Sequence, residues 1–337
     1  MARKKSKDRC YSGIGGQAVL EGVMMKNKNK YAVAVRKPDG TITVNVQDFN
    51  DTIPGETIKK IPFVRGVFNF IDSLRLGMKS LNFSASFYEE EEGGETGFDR
   101  FIDKISGGNT ERFLSAVTTL ISIVLAVGIF IVFPYFVADF FRSFVRNESL
   151  MAVIEGALRI IIFLLYVTII GRMKDIRRLY QYHGAEHKCI NCIERGRPLT
   201  VNNVKRSSRL HKRCGTSFIF LVLFVSIVLF FFIRTDNIWQ RVLYRILLLP
   251  VVAGISYEII RLAGRYDNIF VNIISAPGML IQRITTKEPD ESMIEVAITS
   301  VQAVFDWRQY LYENFGIDAD INYDDYVPEE KTEEAVQ

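Results

Sequence analysis

Long apolar runs dominate the pattern of hydrophobic and polar positions along this chain. A helix needs about 20 mainly apolar residues to cross a bilayer, and four runs approach or exceed that length: Phe113–Val137, Met151–Ile170, Ser217–Ile233 and Val242–Leu262. The second run contains Glu155 and Arg159, and the fourth contains Arg245 and Glu258. Because these residues are ionisable, each of the two runs could instead form a buried core helix. Glu155 and Arg159 are four residues apart and are expected to neutralise each other. The pattern predicts a mainly α fold, a polytopic α-helical membrane protein with four transmembrane helices.

Ahead of the first apolar run, the pattern changes to that of a small α/β domain. Residues Tyr31–Val46 alternate apolar and polar positions on both sides of Pro38-Asp39-Gly40, which predicts a β-hairpin. Upstream, the adjacent glycines Gly15 and Gly16 predict a strand entered through a glycine turn. They lack the full spacing of a dinucleotide or phosphate loop, so a phosphate-binding role is unsupported.

Residues Phe63–Phe87 follow with apolar positions at helical spacing. They predict an amphipathic helix whose Arg65, Arg75 and Lys79 lie at a lipid surface. The whole chain then divides into an N-terminal cytosolic domain (1–88), an acidic linker (89–112), a transmembrane domain with a His/Cys loop (113–265, loop 172–216), a C-terminal cytosolic helical segment (266–315) and an acidic disordered tail (316–337).

The formal net charge is only +4, but the basic residues are concentrated between the second and third apolar runs. From Arg172 to Thr216 there are twelve Lys/Arg and three Asp/Glu. Strongly basic loops stay in the cytosol, so we predict a multi-pass protein of the cell membrane with this loop in the cytoplasm. An even number of spans places both termini there too. Because that compartment is reducing, the cysteines are expected to be thiols or metal ligands.

The same loop indicates the partners of the protein. The basic run Lys205–Arg213 directly precedes the third apolar run, so the predicted partners are the lipid bilayer and its anionic headgroups. Nucleic acid is not expected, because no interleaved aromatic residues or binding module accompany the charges. The sequence indicates neither a substrate nor an oligomeric state.

All three histidines of the chain, His183, His187 and His211, lie in this loop. In the pattern His183-x-x-Glu186-His187, two imidazoles share one face of a helix and can hold a divalent metal, while the adjacent carboxylate activates a water molecule. That helix is expected to continue directly from the second apolar run. Gly184 weakens it slightly and is expected to leave space for a ligand.

Two alternatives use the loop differently. Cys189-x-x-Cys192 together with His211-x-x-Cys214 is typical of a four-ligand structural zinc site, which would leave no open position for water. In the second alternative no metal binds: the histidines cap helices and bind lipid phosphates, and the cysteines are small buried residues.

A catalytic site also needs a third donor besides His183 and His187. His211 and Cys214 are the nearest donors in sequence. Glu258 is a further candidate, because an ionisable residue inside an apolar run points to function. The plainer interpretation of Glu258 is an ion pair with a neighbouring arginine, Arg261 or Arg245.

Three motifs together resemble the DUF1385 family, the YqhQ-like membrane proteins of bacteria. They are GGQAVLEGVMM at Gly15–Met25, YHGAEHK at Tyr182–Lys188 and HKRCGT at His211–Thr216. The similarity runs from about Gly15 to Phe305. The resemblance implies a metal-dependent enzyme with no established substrate.

The family motif covers five residues of this chain: His183, Glu186, His187, His211 and Cys214. It does not include Cys189 and Cys192, and this weakens the four-ligand alternative. Two further segments, Ser256-Tyr257-Glu258 with Arg261 and Ala276-Pro277-Gly278, also resemble the family, and this implies that Glu258 lies near the same site.

We therefore predict a metal-dependent hydrolase of the membrane. His183 and His187 hold a divalent metal, zinc in the first instance and iron or manganese otherwise, and Glu186 is the general base. His211, Cys214 or Glu258 completes the metal ligands. The alternative is a non-enzymatic membrane protein whose structural metal site scaffolds a partner.

Overall fold

The structure is a computed structural model that describes residues 9–52, 58, 60–88, 110–141, 144–145, 147–233, 237–265 and 269–317. Most of the predicted acidic linker and nearly all of the predicted tail lie outside these residues. The described part is mainly helical and carries one small antiparallel sheet near the N-terminus. That confirms the predicted fold class at this level.

The sheet is a meander of four strands in the order β1-β2-β3-β4: β1 Gly15–Val19, β2 Gly22–Asn27, β3 Lys30–Arg36 and β4 Ile42–Asp48. The predicted hairpin is the β3–β4 pair, which closes with Arg36 opposite Ile42. Gly40 occupies the turn at φ 85°, a left-handed conformation that glycine adopts without strain. The predicted strand after Gly15 is β1.

The helices of the described residues are α1 Val64–Ala85, α2 Thr110–Val127, α3 Phe133–Phe140, α4 Glu148–Ile170, α5 Lys174–Glu194, α6 Val201–Lys205, α7 Gly215–Phe231, α8 Ile238–Arg265, α9 Ile269–Thr285, α10 Glu291–Val304 and α11 Trp307–Phe315. A π-helical turn, Gly128–Val132, joins α2 to α3.

The chain forms two compact units. The first consists of three stretches, Met1–Tyr88, Ile170–Phe220 and Ala253–Gln337, and the second consists of Glu89–Ile169 and Leu221–Val252. The sequence pattern predicts separate regions for the N-terminal domain, the basic loop and the C-terminal segment. The structure folds them together, because α5 of the loop packs on β1 and β2 while α10 packs on α5 and the sheet.

The sheet of the first unit has a core on each face. On one face, Val23, Met25 and Ala34 pack with buried residues of α5, α10 and α11. On the other face, Val19, Met24, Tyr31, Val33 and Val35 pack with Leu76 of α1. Alternate strand residues supply the two faces, as the pleat requires, so the sheet holds α5 in a buried position.

In the second unit, a buried ion cluster connects two apolar helices. Glu155 pairs with Arg159 on α4, as predicted, and also with Arg245 on α8 at 2.6 Å between Nη1 and Oε1. Both guanidinium groups lie over the ring of Phe230. Two guanidinium groups thus face the one carboxylate of Glu155, so its charge is compensated and the cluster keeps one formal positive charge.

In the part of the chain that the structure describes, three helical stretches are long and apolar enough to cross a membrane: Val117–Ala138, Leu150–Ile170 and Leu243–Ala263. They correspond to the first, second and fourth predicted spans. The third predicted span forms α7, a helix of 17 residues that is shorter than these three. By length and composition the structure therefore supports three spans, and the fourth is not confirmed.

Candidate metal centre

The HxxEH motif lies in the buried half of α5. This helix is separate from α4, because the chain turns at residues 171–173 before α5 begins at Lys174. The expected continuous helix is therefore wrong. From Tyr182 to Glu194 every residue of α5 except His183 is buried, because β1, β2 and α10 cover it. The predicted loop thus carries its polar motif into the core of the first unit.

Three side chains meet at this point of α5. His183 and His187 lie one helical turn apart with ring centroids separated by 4.4 Å. The Nε2 atom of His183 is 3.0 Å from Sγ of Cys214. One nitrogen from each histidine and the cysteine sulfur all lie within 4.8 Å of one another. Among the described residues, this is the group of His, Cys, Asp and Glu side chains with the geometry to share a metal ion.

Cys214 reaches the histidines from the start of another helix. It precedes α7, and its sulfur accepts a hydrogen bond from the Thr216 amide at 3.4 Å. Free amides and the helix dipole at an N-terminus favour a negatively charged group. Burial opposes ionisation, but His183 and His187 hold the pKa of the Cys214 thiol well below its usual range. The sulfur is therefore a thiolate, the form in which cysteine binds metals.

Main-chain carbonyls orient both imidazoles. Nδ1 of His183 lies 3.0 Å from the carbonyl oxygen of Thr285, and Nδ1 of His187 lies 2.7 Å from that of Arg209. A carbonyl can only accept, so each Nδ1 carries a hydrogen, and Nε2 is the nitrogen of each ring that can bind a metal when it is not protonated. This is the arrangement in which proteins prepare histidine to bind a metal.

Gly184 allows one of these carbonyls to approach. A Cβ atom at position 184 would lie 2.0 Å from the Lys287 carbonyl oxygen. The main chain at Lys287 also donates to the carbonyl of Tyr180. The space beside Gly184 is therefore filled by the segment that brings Thr285 to His183. Our expectation that Gly184 leaves space for a ligand is wrong, and its role is to permit this close contact.

Glu186 lies beside the three candidate ligand atoms. Its Oε2 is 4.0 Å from Nε2 of His187, and only 4% of the residue is exposed. The amide of Gly16 in β1 donates to its carboxylate. A Cβ at position 16 would lie 2.8 Å from Cγ of Glu186, so the glycine lets the strand lie against this side chain. Burial raises the pKa of Glu186, although both histidines act in the opposite direction.

Burial lowers the proton affinity of His183, but the Cys214 thiolate outweighs it and raises the pKa of His183 to about 9. Without a bound cation, the two groups form an imidazolium–thiolate pair. A divalent ion would take the place of that proton, as metals do when they bind protein ligands.

His211 lies next to His183, His187 and Cys214 but is not one of the group. Its ring centroid is 5.7 Å from that of His187, and its Nε2 is 3.5 Å from Oε2 of Glu194. The side chain of Gln282 binds both its amide and its carbonyl, at 2.8 and 2.7 Å. Burial lowers the pKa of His211 to about 4, so the ring is neutral.

Glu194, at the end of α5, was not singled out in the sequence analysis. Its carboxylate pairs with Arg213 and with Arg9 at 2.9 Å, and it accepts from the Ser12 amide and hydroxyl. Burial opposes its ionisation, but His211, Arg213 and Arg9 hold the pKa of Glu194 well below its usual range. A sequence signal existed: Glu194 is one of only three acidic residues in the basic loop.

Glu258 is occupied elsewhere in the first unit. Arg65 of α1 binds both of its oxygens, with distances of 2.7 and 2.6 Å. Arg261 lies 3.7 Å away, which is the ion pair that the sequence suggested. Arg245, the other suggested partner, pairs with Glu155 instead. The structure does not bring Glu258 into the group of three.

Cys189 and Cys192 are fully buried in the core between α5 and α10. Burial raises the pKa of Cys192 to about 12 and that of Cys189 well above its usual value. Cys192 contacts the carbonyl oxygens of Arg197 and Pro198 through its sulfur. Both are therefore protonated core residues, and they do not join Cys214 and His211 in a four-ligand group.

Fold and site together define a class: a mainly helical protein with helices that are apolar and long enough for a membrane, and with a group of two histidines and one cysteine of which only His183 is partly exposed. Residues 61–307 match the family described as "Protein of unknown function (DUF1385)". The chain is 37% identical over 297 residues to "Uncharacterized protein YqhQ" of Bacillus subtilis strain 168, covering 88% of this chain and 93% of that protein. The chain therefore belongs to the DUF1385 family. No solved structure gives a significant match.

Proposed function

We propose that the protein is a metal-dependent hydrolase embedded in the cell membrane, with its site on the cytoplasmic side. The observation that carries this proposal is the convergence of His183, His187 and Cys214, whose imidazoles are already turned by carbonyls for metal binding. The comparisons add the family but no activity, so the function is argued from the site.

The donor set fits a zinc ion. Nε2 of His183, Nε2 of His187 and the thiolate of Cys214 would hold it, and three protein ligands are the number found in catalytic zinc sites. The thiolate favours zinc or iron over manganese, which prefers oxygen ligands. When bound, a divalent ion supplies a Lewis acid and lowers the pKa of water.

Glu186 is the residue that moves a proton. Its carboxylate lies next to Nε2 of His187, and burial raises its pKa, so it can accept a proton from a water molecule and return it to a leaving group. The Gly16 amide holds the carboxylate in place. His183 is partly exposed, whereas His187 and Cys214 are buried, so a substrate would approach from the His183 side.

Four membrane spans are proposed from the connectivity of the chain. The first unit is one compact body made of three stretches, and we place its sheet and its candidate metal centre on one side of the bilayer. Each connecting stretch must therefore cross an even number of times. The chain leaves this unit at Phe220 and returns at Ala253, so if α8 crosses then α7 crosses too. The twelve basic residues of the loop favour the cytoplasm for this unit and thus for both termini.

A structural metal site that scaffolds a partner is the second candidate. It is favoured by the burial of His187 and Cys214, which belong to different elements, so that a metal would clamp α5 to the start of α7. In this case Glu186 has no chemical task. The two candidates therefore differ in what Glu186 does.

A Glu186→Gln variant separates them. The purified, metal-loaded protein is assayed on p-nitrophenyl acetate, bis(p-nitrophenyl) phosphate and a quenched peptide set, with metal content measured in parallel. Hydrolysis should fall by about 100-fold or more, as for loss of a general base, while the metal content is unchanged. A variant that keeps both its metal and its turnover would contradict the hydrolase and leave the structural site. Cys189→Ala, a core change outside the site, is the matched control.

A further inference from the structure

Helix α9 has its polar and apolar faces reversed. Of its buried residues, four are small or polar, namely Ser275, Gly278, Gln282 and Thr285, and Ile281 is the large apolar one among them. Its exposed face carries large apolar side chains, Ile269 at 70%, Ile273 at 65%, Ile274 at 48% and Leu280 at 56% exposure. A surface helix in water shows the opposite pattern. The exposed face therefore needs an apolar covering.

The buried face of α9 is fixed in position by specific contacts. A Cβ at Gly278 would lie 2.8 Å from the Ser217 side chain, so α9 crosses the first turn of α7 at close range. Gln282 donates to the Ser217 hydroxyl at 2.8 Å and to the carbonyl of His211. Rotating α9 to hide its isoleucines would break these bonds, so the apolar face points outward by construction.

Helix α1 repeats the reversed pattern. Its buried positions are mostly small or polar: Gly66, Asp72, Leu76, Gly77, Ser80 and Ser84. Ile71, Leu74 and Met78 are about half exposed. Phe70 stacks on Phe218 with ring centroids 5.3 Å apart, so α1 also reaches the first turn of α7. Two outward apolar faces thus adjoin the helix that starts at the candidate metal centre.

Lipid is the covering that fits α9. The helix begins four residues after α8, which contains the candidate span Leu243–Ala263. It contains no acidic residue, Arg283 is in its last turn, and Lys212 binds its Asn272 at 2.7 Å. An apolar face flanked by basic residues is the composition of helices that lie in a bilayer surface. The 17 residues of α9 include Asn272, Gln282 and Arg283, and these polar side chains favour an orientation in the membrane plane.

We propose that α9 lies in the cytoplasmic surface of the bilayer, with Ile269, Ile273, Ile274 and Leu280 among the acyl chains. Its last residue, Thr285, orients His183 through its carbonyl. The candidate metal centre then lies at headgroup depth, and the hydrolase proposed above would act on a bond of a membrane amphiphile. This placement rests on the membrane insertion proposed above, but it does not depend on metal binding.

Fluorescent labels in lipid nanodiscs test the placement of α9. Cysteine replaces Ile269 or Leu280, one at a time, in a Cys10→Ser background whose three remaining cysteines are buried. The introduced cysteine carries an environment-sensitive bimane, which is quenched by lipids with a shallow or a deep nitroxide, and the unsubstituted background measures any labelling of the native cysteines. On a straight helix these positions are about 16 Å apart along the axis. For an in-plane helix, the shallow nitroxide should quench both to the same degree, roughly twofold or more above a water-exposed position.

Two reference labels make the outcomes distinct. Ile161, exposed within the candidate span Leu150–Ile170, should be quenched best by the deep nitroxide, and Gln302, exposed on α10, by neither. If Ile161 is quenched but Ile269 and Leu280 behave like Gln302, the α9 proposal is overturned while the membrane protein stands. If Ile161 is also unquenched, membrane insertion itself is overturned.

Two further outcomes would also overturn the proposal. Clearly different depths at Ile269 and Leu280 would mean that α9 enters the membrane at a steep angle. The other outcome combines two observations: the label is shielded from water but insensitive to nitroxide lipids, and Ile273→Cys forms disulfide cross-links between copies. That result would mean that a second copy of the chain covers this face.

Discussion

Two buried polar clusters lie on the same helix, α5, and are built in opposite ways. At Glu194, each charge faces an opposite charge: Arg9, Arg213 and the Ser12 donors surround one carboxylate. At His183, His187 and Cys214, the ligand atoms converge on each other. A buried cluster whose charges and hydrogen-bonding groups are paired with one another stabilises the fold. Under the proposal above, the converging cluster holds a metal ion that the chain itself does not supply.

The largest difference between the clusters should be in stability. Glu194→Gln leaves Arg9 and Arg213 without a counter-charge and should destabilise the protein by about 3 kcal/mol, as when one partner of a buried ion pair is removed. Glu186→Gln should change the stability by less than about 1 kcal/mol, because burial already disfavours the charged form of Glu186. Thermal unfolding in detergent measures both variants. The reverse order of effects would contradict the comparison.

Adjacent glycines in β1 offer a more local test of the converging cluster. A Cβ at Gly16 would meet the Met24 carbonyl at 2.7 Å and Cγ of Glu186 at 2.8 Å, whereas one at Gly15 has no atom within 4 Å. Gly16→Ala should therefore cost about 2 kcal/mol, as overpacking does, and should displace Glu186. Gly15→Ala should be nearly silent. Equal effects of the two variants on thermal stability would mean that β1 does not press on the site.

The pH dependence of metal binding tests the imidazolium–thiolate pair. Below pH 9 or so, His183 is protonated and must release that proton before its Nε2 can bind a metal, whereas the Cys214 thiol is already ionised. Affinity should therefore rise about tenfold per pH unit up to about 9 and then level off. Competition with a chromophoric chelator over this range gives the slope. A flat profile between pH 7 and 9, roughly, would mean that His183 does not exchange its proton for the metal.

The smallest effect is expected at Glu258. Its pair with Arg65 is only partly buried, so Glu258→Gln should cost about 1 kcal/mol or less and leave the metal content unchanged. Lost metal in this variant would move Glu258 into the ligand set, as the family resemblance implied. Arg65→Gln should match it in stability, because the two side chains form one pair.

The comparison also shows which features of the site and the fold can be predicted from the sequence. The i, i+4 spacing of His183 and His187 and the alternation of Tyr31–Val46 are local patterns, and both features are present as predicted. The partners that finish the site are distant in the chain. Thr285 lies 102 positions from His183, and Arg9 lies 185 from Glu194. No local pattern encodes such contacts, because they depend on how the sheet, α5 and α9 pack together.

Metal analysis of the detergent-purified protein, after reconstitution with zinc or iron, tests the central claim most directly. The wild type and Cys192→Ala should hold about one ion per chain, and both Cys214→Ala and the pair His183→Ala with His187→Ala should hold none. The contrary result is an ion that survives in Cys214→Ala and the double variant but disappears in Cys192→Ala. That result would place the metal at the core cysteines. A wild-type protein that binds no metal would also contradict the claim, because His183 and Cys214 would then form only an imidazolium–thiolate pair.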